Sequence, residues 1–170
     1  MKLLLFLVSF FIGIDNSVYA LSTDESKPVQ ITADNGVANL KSKDVTLNGP
    51  LVIIRGSILV KANKGTVHQD TNNDKLLILY GTPVTFTQKQ DDGSKVDGQS
   101  NQFDYNTKTN MAILTGRAKM QKGKDSITGE RITYNTKTSV YSVSGMPTNG
   151  VNKSQTGKVT IILDNLEKNK

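Results

Sequence analysis

Residues able to do acid–base or metal chemistry are few in this 170-residue chain. His68 is the only histidine and there is no cysteine, so neither a histidine pair nor a thiolate can bind zinc. The sequence has no Gly-x-Ser-x-Gly nucleophile motif and no glycine-rich phosphate loop. His68 stands between Val67 and Gln69, as at the end of a strand, which favours a surface histidine over a catalytic one. We therefore expect no enzyme activity, no metal site and no cofactor.

One acidic segment imitates the opening of a calcium-binding loop. Asp70-Thr71-Asn72-Asn73-Asp74 matches Asp-x-Asn-x-Asp, but an EF-hand loop also needs glycine at position six and glutamate at position twelve. Lys75 and Gly81 occupy those positions. The segment is therefore interpreted as a hairpin turn. The other aspartates beside glycines are interpreted in the same way.

The charge balance is basic, with 21 Lys and Arg against 15 Asp and Glu. A net charge of +6 suits anionic lipid headgroups, glycans, nucleic acid or acidic protein. The charges are scattered rather than in blocks, so solubilising lysines explain them equally well. Base stacking needs exposed aromatic rings among basic residues, and the chain has no tryptophan. Nucleic acid is therefore not an expected partner.

The elements that position these residues are strands. Short runs rich in Val, Ile, Thr and Tyr alternate with polar residues at period two, which is typical of half-buried strands. Clusters of Asn, Asp and Gly separate the runs, and no segment has helical spacing over three turns. The sequence predicts an all-β fold of about fifteen antiparallel strands.

An internal repeat suggests how these strands are arranged. Tyr-Asn-Thr-Lys-Thr at 105–109 recurs at 134–138, an offset of 29 residues. A unit of this size cannot bury its own apolar face, so the units are expected to stack into an elongated body. We expect bends or bulges at the glycines that recur in the units, making a twisted jellyroll or sandwich: Gly56, Gly81, Gly116 and Gly145. Hairpin glycines in a generic barrel are the alternative.

The first twenty residues resemble a secretory signal peptide. Lys2 precedes an apolar run, and Val18-Tyr19-Ala20 supplies a cleavage site. We expect cleavage after Ala20, export, a β domain at 21–163 and a polar tail at 164–170. An uncleaved membrane anchor is the alternative. The lack of cysteine favours a bacterial periplasm over a disulfide-rich secreted protein.

Alternation predicts one set of apolar side chains inside the β body. Facing sheets can fill the space between them or leave room for an apolar ligand, and composition does not separate these two cases. The predicted inward and lipid-contacting set is Val29, Ile31, Val52, Ile54, Ile58, Val60, Phe86, Phe103, Tyr105, Leu114, Ile132 and Tyr134.

Four segments together resemble a known family. They are Lys-Pro-Val-Gln-Ile-Thr-Ala-Asp at 27–34, Tyr-Gly-Thr-Pro-Val-Thr-Phe at 80–86, Val-Asp-Gly-Gln-Ser at 96–100 and Leu-Thr-Gly at 114–116. Their order resembles the OstA-like (LptA) family of periplasmic lipopolysaccharide-transport proteins. Asn48-Gly49-Pro50 and a short C-terminal tail depart from the family pattern.

The resemblance implies a jellyroll open at both ends that carries lipopolysaccharide from the inner to the outer membrane. Acyl chains would lie inside, against Val29, Ile31, Phe86 and Tyr105, with the sugars outside. Copies would join head to tail, and partners would be an inner-membrane-anchored LptC-like protein and an outer-membrane LptD-like protein. The implied interface residues are Val29, Gln30, Ile31 and Thr32 on one edge, and Val159, Thr160, Ile161, Ile162 and Leu163 on the other.

Other hypotheses remain open from the sequence. Arg55, Lys61 and Arg117 are candidates for contact with lipid phosphates at the rim. The chain could instead be the membrane-anchored protein of the same pathway, which shares the fold. A β-repeat surface or structural binding protein without a transport role is the alternative from another class.

Overall fold

A computed structural model describes residues 24–145 and 158–164 of the chain. A short 3-10 turn at Asp24–Ser26 precedes nine strands in one antiparallel sheet, so the all-β prediction is confirmed. No helix in the described ranges has the length and apolarity needed to cross a bilayer. The strands are β1 (Gln30–Asn39), β2 (Asp44–Arg55), β3 (Ile58–Gln69), β4 (Lys75–Lys89), β5 (Lys95–Asn106), β6 (Met111–Lys122), β7 (Asp125–Asn135), β8 (Tyr141–Ser144) and β9 (Thr160–Ile162).

The sheet is a meander in which each strand pairs with the next one in sequence as far as β8. β8 pairs with residues 131–134 of β7, and β9 pairs with residues 126–128 on the same side of β7. The two short strands therefore fill the two halves of a single strand position. Together they form one edge of the sheet, and β1 forms the other.

The long strands bend at their middles. Every ladder from β1–β2 to β6–β7 has a register shift there. The extra residues lie on alternate strands: Gly49-Pro50 in β2, Gly81-Thr82-Pro83 in β4 and Gly116-Arg117 in β6. Because bulges bend a strand, the sheet folds over along this line into two facing layers.

The bends correct the strand count. The predicted number of about fifteen was wrong, because each long strand reads in sequence as two short ones. Gly81 and Gly116 lie at bulges as expected. Gly56 instead lies in the β2–β3 turn, and Gly145 follows β8. Asn48-Gly49-Pro50, which departs from the family pattern, contains the bulge of β2.

Folding over brings two rows of turns together. The first rim consists of the turns β1–β2, β3–β4, β5–β6 and β7–β8, and the second rim of β2–β3, β4–β5 and β6–β7. Three first-rim turns are built alike, because Asn39, Asn106 and Asn135 each accept hydrogen bonds at Oδ1 from the backbone N–H groups two and three residues later. The repeated Tyr-Asn-Thr-Lys-Thr segment is thus a turn motif, and residues 38–42 form a third turn of the same kind.

Alternation along each strand separates a buried inner face from an outer one. The inner residues of both layers form one continuous core, and burial of their apolar surface is the main stabilising term. In β3 the buried set is Ile58, Val60 and Ala62 before the bend, then Val67 after it. The parity of the buried positions therefore changes at the bend, which keeps the apolar side chains inside both layers.

Candidate functional site

The middle of the interior is filled by the chain's own aromatic side chains. Phe86 and Phe103 are each 1% exposed, and their rings stack with centroids 5.4 Å apart. Phe86 also meets Tyr134 edge-on at 5.9 Å, although β4 and β7 are not neighbours in the sheet. The two layers therefore touch directly, and this part of the interior is a packed core.

Ten of the twelve predicted inward residues belong to this core or pack against it. Val29 and Ile31 are partly buried against the core. The eight that are buried within it are Ile58, Val60, Phe86, Phe103, Tyr105, Leu114, Ile132 and Tyr134. Their contact with lipid stays a prediction.

The inward orientation predicted for Val52 and Ile54 is wrong. Leu51 and Ile53, which alternate with them in β2, are 1% and 3% exposed, whereas Ile54 is 41% exposed. Residues 51–54 are all apolar, so alternation does not indicate which of their side chains face inward. Ile54 is opposite the outward Gln30 and not the inward Ile31.

The two rims meet along a polar seam, and Arg55 is one of its centres. Arg55 ends β2 on the second rim and is 8% exposed. Its Nη1 donates to the Tyr105 hydroxyl at 2.7 Å and to Asn110 Oδ1 at 3.3 Å, both at the first rim. The guanidinium also lies over the Tyr105 ring at 5.9 Å. Arg55 therefore ties the layers together, and is not the exposed phosphate contact that the sequence suggested.

A second group in the seam surrounds the buried hydroxyl of Tyr134. That hydroxyl donates to Gln88 Oε1 and accepts from Gln90 Nε2, each at 3.0 Å. Gln88 Nε2 donates to the Thr136 carbonyl at 3.0 Å, and Ser139 Oγ donates to Gln90 Oε1. Burial raises the pKa of the Tyr134 hydroxyl, against the lowering effect of its hydrogen bonds. It is a neutral structural group that closes the seam.

The 3-10 turn spans the seam from one rim to the other. Asp24 accepts hydrogen bonds from the Ser57 backbone N–H at 2.7 Å and hydroxyl at 2.6 Å on the second rim. Glu25 accepts from Asn110 Nδ2 at 2.7 Å and from Lys137 Nζ at 3.1 Å on the first rim. Asp24 and Glu25 therefore fasten both layers from outside the sheet.

The rims meet with a constant stagger. Arg55 adjoins the β2–β3 turn and contacts the β5–β6 turn, while Gln88 and Gln90 adjoin the β4–β5 turn and contact the β7–β8 turn. In both cases a second-rim turn meets the first-rim turn three strands further along. This stagger leaves the β6–β7 turn without a facing turn in the described chain.

The interior opens beside that turn. A cleft of about 220 Å³ lies between the β6–β7 and β7–β8 turns at the end of the body. Its apolar wall consists of Val96, Met120, Ile127, Tyr134 and Tyr141, and Gln90, Gln121, Lys122, Asp125 and Ser139 complete it. Apolar walls with a few polar groups at the mouth are typical of ligand sites.

Both sheet edges present backbone groups and apolar side chains. Among the residues that the structure describes, β1 has one neighbouring strand, and Val37 at its outer side is 72% exposed. At the other edge the exposed apolar residues are Val140, Tyr141, Val159, Ile161, Ile162 and Leu163. An uncovered edge is a template for an added strand. These edges include both segments predicted as the oligomer interface.

The remaining polar candidates have structural roles. His68 Nδ1 lies 2.7 Å from Asp44 Oδ1 in an exposed pair. Asp70 Oδ1 accepts from the N–H groups of Asn72 and Asp74 and shapes the β3–β4 turn. Within the described ranges, no three His, Asp or Glu side chains come close enough to hold one metal ion.

The seam and the cleft were not found from sequence. Gln88 and Gln90 continue the inward alternation that begins at Val84 and Phe86. A polar residue at an inward position near a strand end was therefore the sequence signal that could have indicated the seam. Arg55 follows Leu51 and Ile53 in the same way. Asp24 and Glu25 had no such signal, because they lie outside the strands.

Comparison with known proteins identifies the relatives of this fold. A family model described as "LptA/(LptD N-terminal domain) LPS transport protein" matches residues 30–140. The lipopolysaccharide export system protein LptA of Haemophilus influenzae is 32% identical over 145 residues, which are 84% of this chain and 84% of that protein. LptA of Escherichia coli K12 is 30% identical over 136 residues, 79% of this chain and 74% of that protein.

A solved structure has the same fold. The crystal structure of LptH from Pseudomonas aeruginosa, described as the LptA-homologous periplasmic component of the lipopolysaccharide transport device, superimposes with a TM-score of 0.75. The match covers 84% of this chain and 99% of that one at 22% sequence identity. The open, twisted antiparallel sheet is therefore shared with that protein.

Proposed function

Because this chain belongs to the family of LptA and LptD N-terminal domain lipopolysaccharide transport proteins, we propose that it is a non-enzymatic carrier of lipopolysaccharide. It would lie in the periplasm, where LptH is described as acting, and lead the lipid from the inner to the outer membrane. Acyl chains would occupy the space between the two layers, with the sugars outside.

One observation carries this proposal: two apolar layers face each other in a body whose interior opens at the end of the sheet. The cleft between the β6–β7 and β7–β8 turns continues into the core through Met120, Ile127 and Tyr134. An acyl chain that enters gains about 0.8 kcal/mol for each methylene removed from water. No covalent chemistry is needed for such a transfer.

Lipid entry beyond the cleft requires the layers to separate. Phe86 and Phe103 fill the middle of the interior, so acyl chains must displace them. The polar seam opposes this separation through Arg55, Gln88 and Tyr134. Acyl burial would offset the loss of these hydrogen bonds, each about 0.5–1.5 kcal/mol net.

Head-to-tail assembly would extend the interior from copy to copy. The edge at 159–163 would pair with the edge at 29–32 of the next copy, satisfying backbone groups that have no partner strand within the described ranges. The same edges would bind the inner-membrane LptC-like and outer-membrane LptD-like partners. The family model supports the LptD-like partner, because its description includes the LptD N-terminal domain.

Site-specific photo-crosslinking in living cells tests the carrier proposal. Phe86 faces the interior and Thr85, its neighbour in β4, is exposed on the outer face. A photoreactive residue at Phe86 should form an adduct that blots for lipopolysaccharide, and one at Thr85 should form little or none. Adducts at Thr85 without adducts at Phe86 would overturn an interior lipid path.

A further inference from the structure

We propose that the β1–β2 turn of one copy closes the open cleft of the copy before it, with Leu40 as the inserted side chain. The partner is thus a second copy of this chain. This inference rests on the head-to-tail assembly proposed above and adds a contact between turns to the pairing of edge strands.

The stagger of the seam determines which turns would meet. A second-rim turn meets the first-rim turn three strands further along, as the contacts of Arg55 with Asn110 and of Gln88 with Thr136 show. The β8 and β9 segments occupy the last strand position. With β1 of a second copy at the next position, its β1–β2 turn lies three strands beyond the β6–β7 turn. The β6–β7 turn, which faces no other turn within residues 24–145 and 158–164, would thereby acquire a facing turn.

The three similar first-rim turns show how that contact would be made. Thr136, the residue after Asn135, is 4% exposed in the seam, where its carbonyl accepts from Gln88. Leu40 holds the same place after Asn39 and is 89% exposed. The last buried residue of β4 is Gln88, and the last buried residue of β6 is Met120. The contact of Gln88 with Thr136 inside the chain thus corresponds to a contact of Met120 with Leu40 between copies.

The cleft fits an apolar side chain at that place. Its lining includes the buried side chains of Met120, Val96 and Ile127, together with Tyr141. Tyr141 is 46% exposed, so its ring is available to cover an inserted leucine. Leu40 is the most exposed large apolar side chain in the described residues, and burial in this cleft would remove it from water.

Charge around the two surfaces is complementary. The β1–β2 turn carries Lys41 and Lys43, and Lys43 stands where Asn110 and Ser139 reach across the seam in the other two turns. Asp125 and Lys122 line the cleft. Lys122 is already paired with Asp92 at 3.3 Å, and Lys124, next to Asp125 in the chain, is paired with Asp164 at 3.0 Å. Three carboxylates therefore lie at or beside the cleft with two lysines, both of which are already in ion pairs.

Sedimentation equilibrium of the mature chain tests the inference. Leu40→Ser should raise the dissociation constant of self-association about tenfold, since a buried leucine is lost from each contact. Leu76→Ser is the matched control, because Leu76 is 38% exposed on β4, which lies at neither edge of the sheet. It should leave self-association within about twofold. Equal association of the Leu40→Ser variant and the control would overturn the inference.

Cysteine pairs separate this contact from the edge pairing, and the absence of native cysteine keeps the background clean. Leu40→Cys with Gln121→Cys should give an oxidised ladder of oligomers, whereas Val37→Cys with Gln121→Cys should not. Ile31→Cys with Ile161→Cys reports the edge pairing. A ladder from the edge pair alone would overturn the turn contact and leave head-to-tail assembly intact. Wild-type protein that stays monomeric at all concentrations would overturn both.

Discussion

The buried hydroxyl of Tyr134 offers a sharp test of the seam. Tyr134→Phe keeps the ring against Phe86 but removes the group that donates to Gln88 and accepts from Gln90. All three seam residues are at most 4% exposed, so water cannot readily replace the hydroxyl. The substitution therefore isolates the polar closure of the two layers from their apolar packing.

The expected loss in the free energy of unfolding follows from the two hydrogen bonds of the Tyr134 hydroxyl. Each contributes about 0.5–1.5 kcal/mol net, and a buried partner left unsatisfied costs about 1–3 kcal/mol. Gln88 keeps its bond to the Thr136 carbonyl and Gln90 keeps its bond from Ser139, which limits the loss. We expect the free energy of unfolding to fall by about 2 kcal/mol, a roughly thirtyfold change in the unfolding equilibrium.

Urea unfolding followed by far-ultraviolet circular dichroism measures this loss. Tyr141→Phe is the control, because Tyr141 is 46% exposed and its hydroxyl removal should cost under about 0.5 kcal/mol. The dependence on urea should be the same in both variants, since they expose similar surface. If Tyr134→Phe and Tyr141→Phe lose equal stability, the seam does not hold the layers together in solution.

Three further comparisons test other parts of the fold. Gly49→Ala should lower the free energy of unfolding by about 2–4 kcal/mol, because φ is +90° and the added Cβ would lie 2.7 Å from a side-chain carbon of β1. Gly93 has φ +78° but no atom within 4 Å of an added Cβ, so Gly93→Ala should lower it by only about 1 kcal/mol in the same urea titration. Ile53→Ser should cost about 3 kcal/mol and Ile54→Ser under about 1 kcal/mol; equal costs would contradict the assigned faces of β2. The hydrogen bond from the single histidine holds the pKa of Asp44 below its usual range, so this carboxylate stabilises the fold above its unfolded-state pKa and stops doing so as pH falls through the lower folded value. The stability difference between wild type and Asp44→Asn should therefore be present at about pH 7 and should shrink as pH falls below the unfolded-state pKa of the carboxyl group; a difference that grows on acidification would contradict this sign.

The sequence predicted the fold class and most inward residues because these depend on local alternation. Phe86 and Phe103 alternate with polar neighbours, so their faces could be assigned. Residues 51–54 could not be assigned, since a continuous apolar run fits either phase. The strand count failed for a related reason: a bulge reverses the parity and resembles a turn, as at residues 81–83 of β4.

The contacts that close the body could not be predicted from local sequence patterns. Contacts such as Arg55 with Asn110 join residues 55 positions apart, and their pairing depends on how far the sheet folds and twists. The stagger of three strands is a property of the whole sheet. No local spacing in the sequence encodes it, although the shared Asn turns at 39, 106 and 135 are visible once the rims are known.

When a sheet folds over with a constant offset between its two rims, the line along which the rims meet is a helix. The three-strand offset therefore makes the line between the rims wind about the long axis of the body. A headgroup that followed this line while its tails stayed inside would rotate as it advanced. Successive copies would then need to be turned relative to one another to keep that helical track continuous.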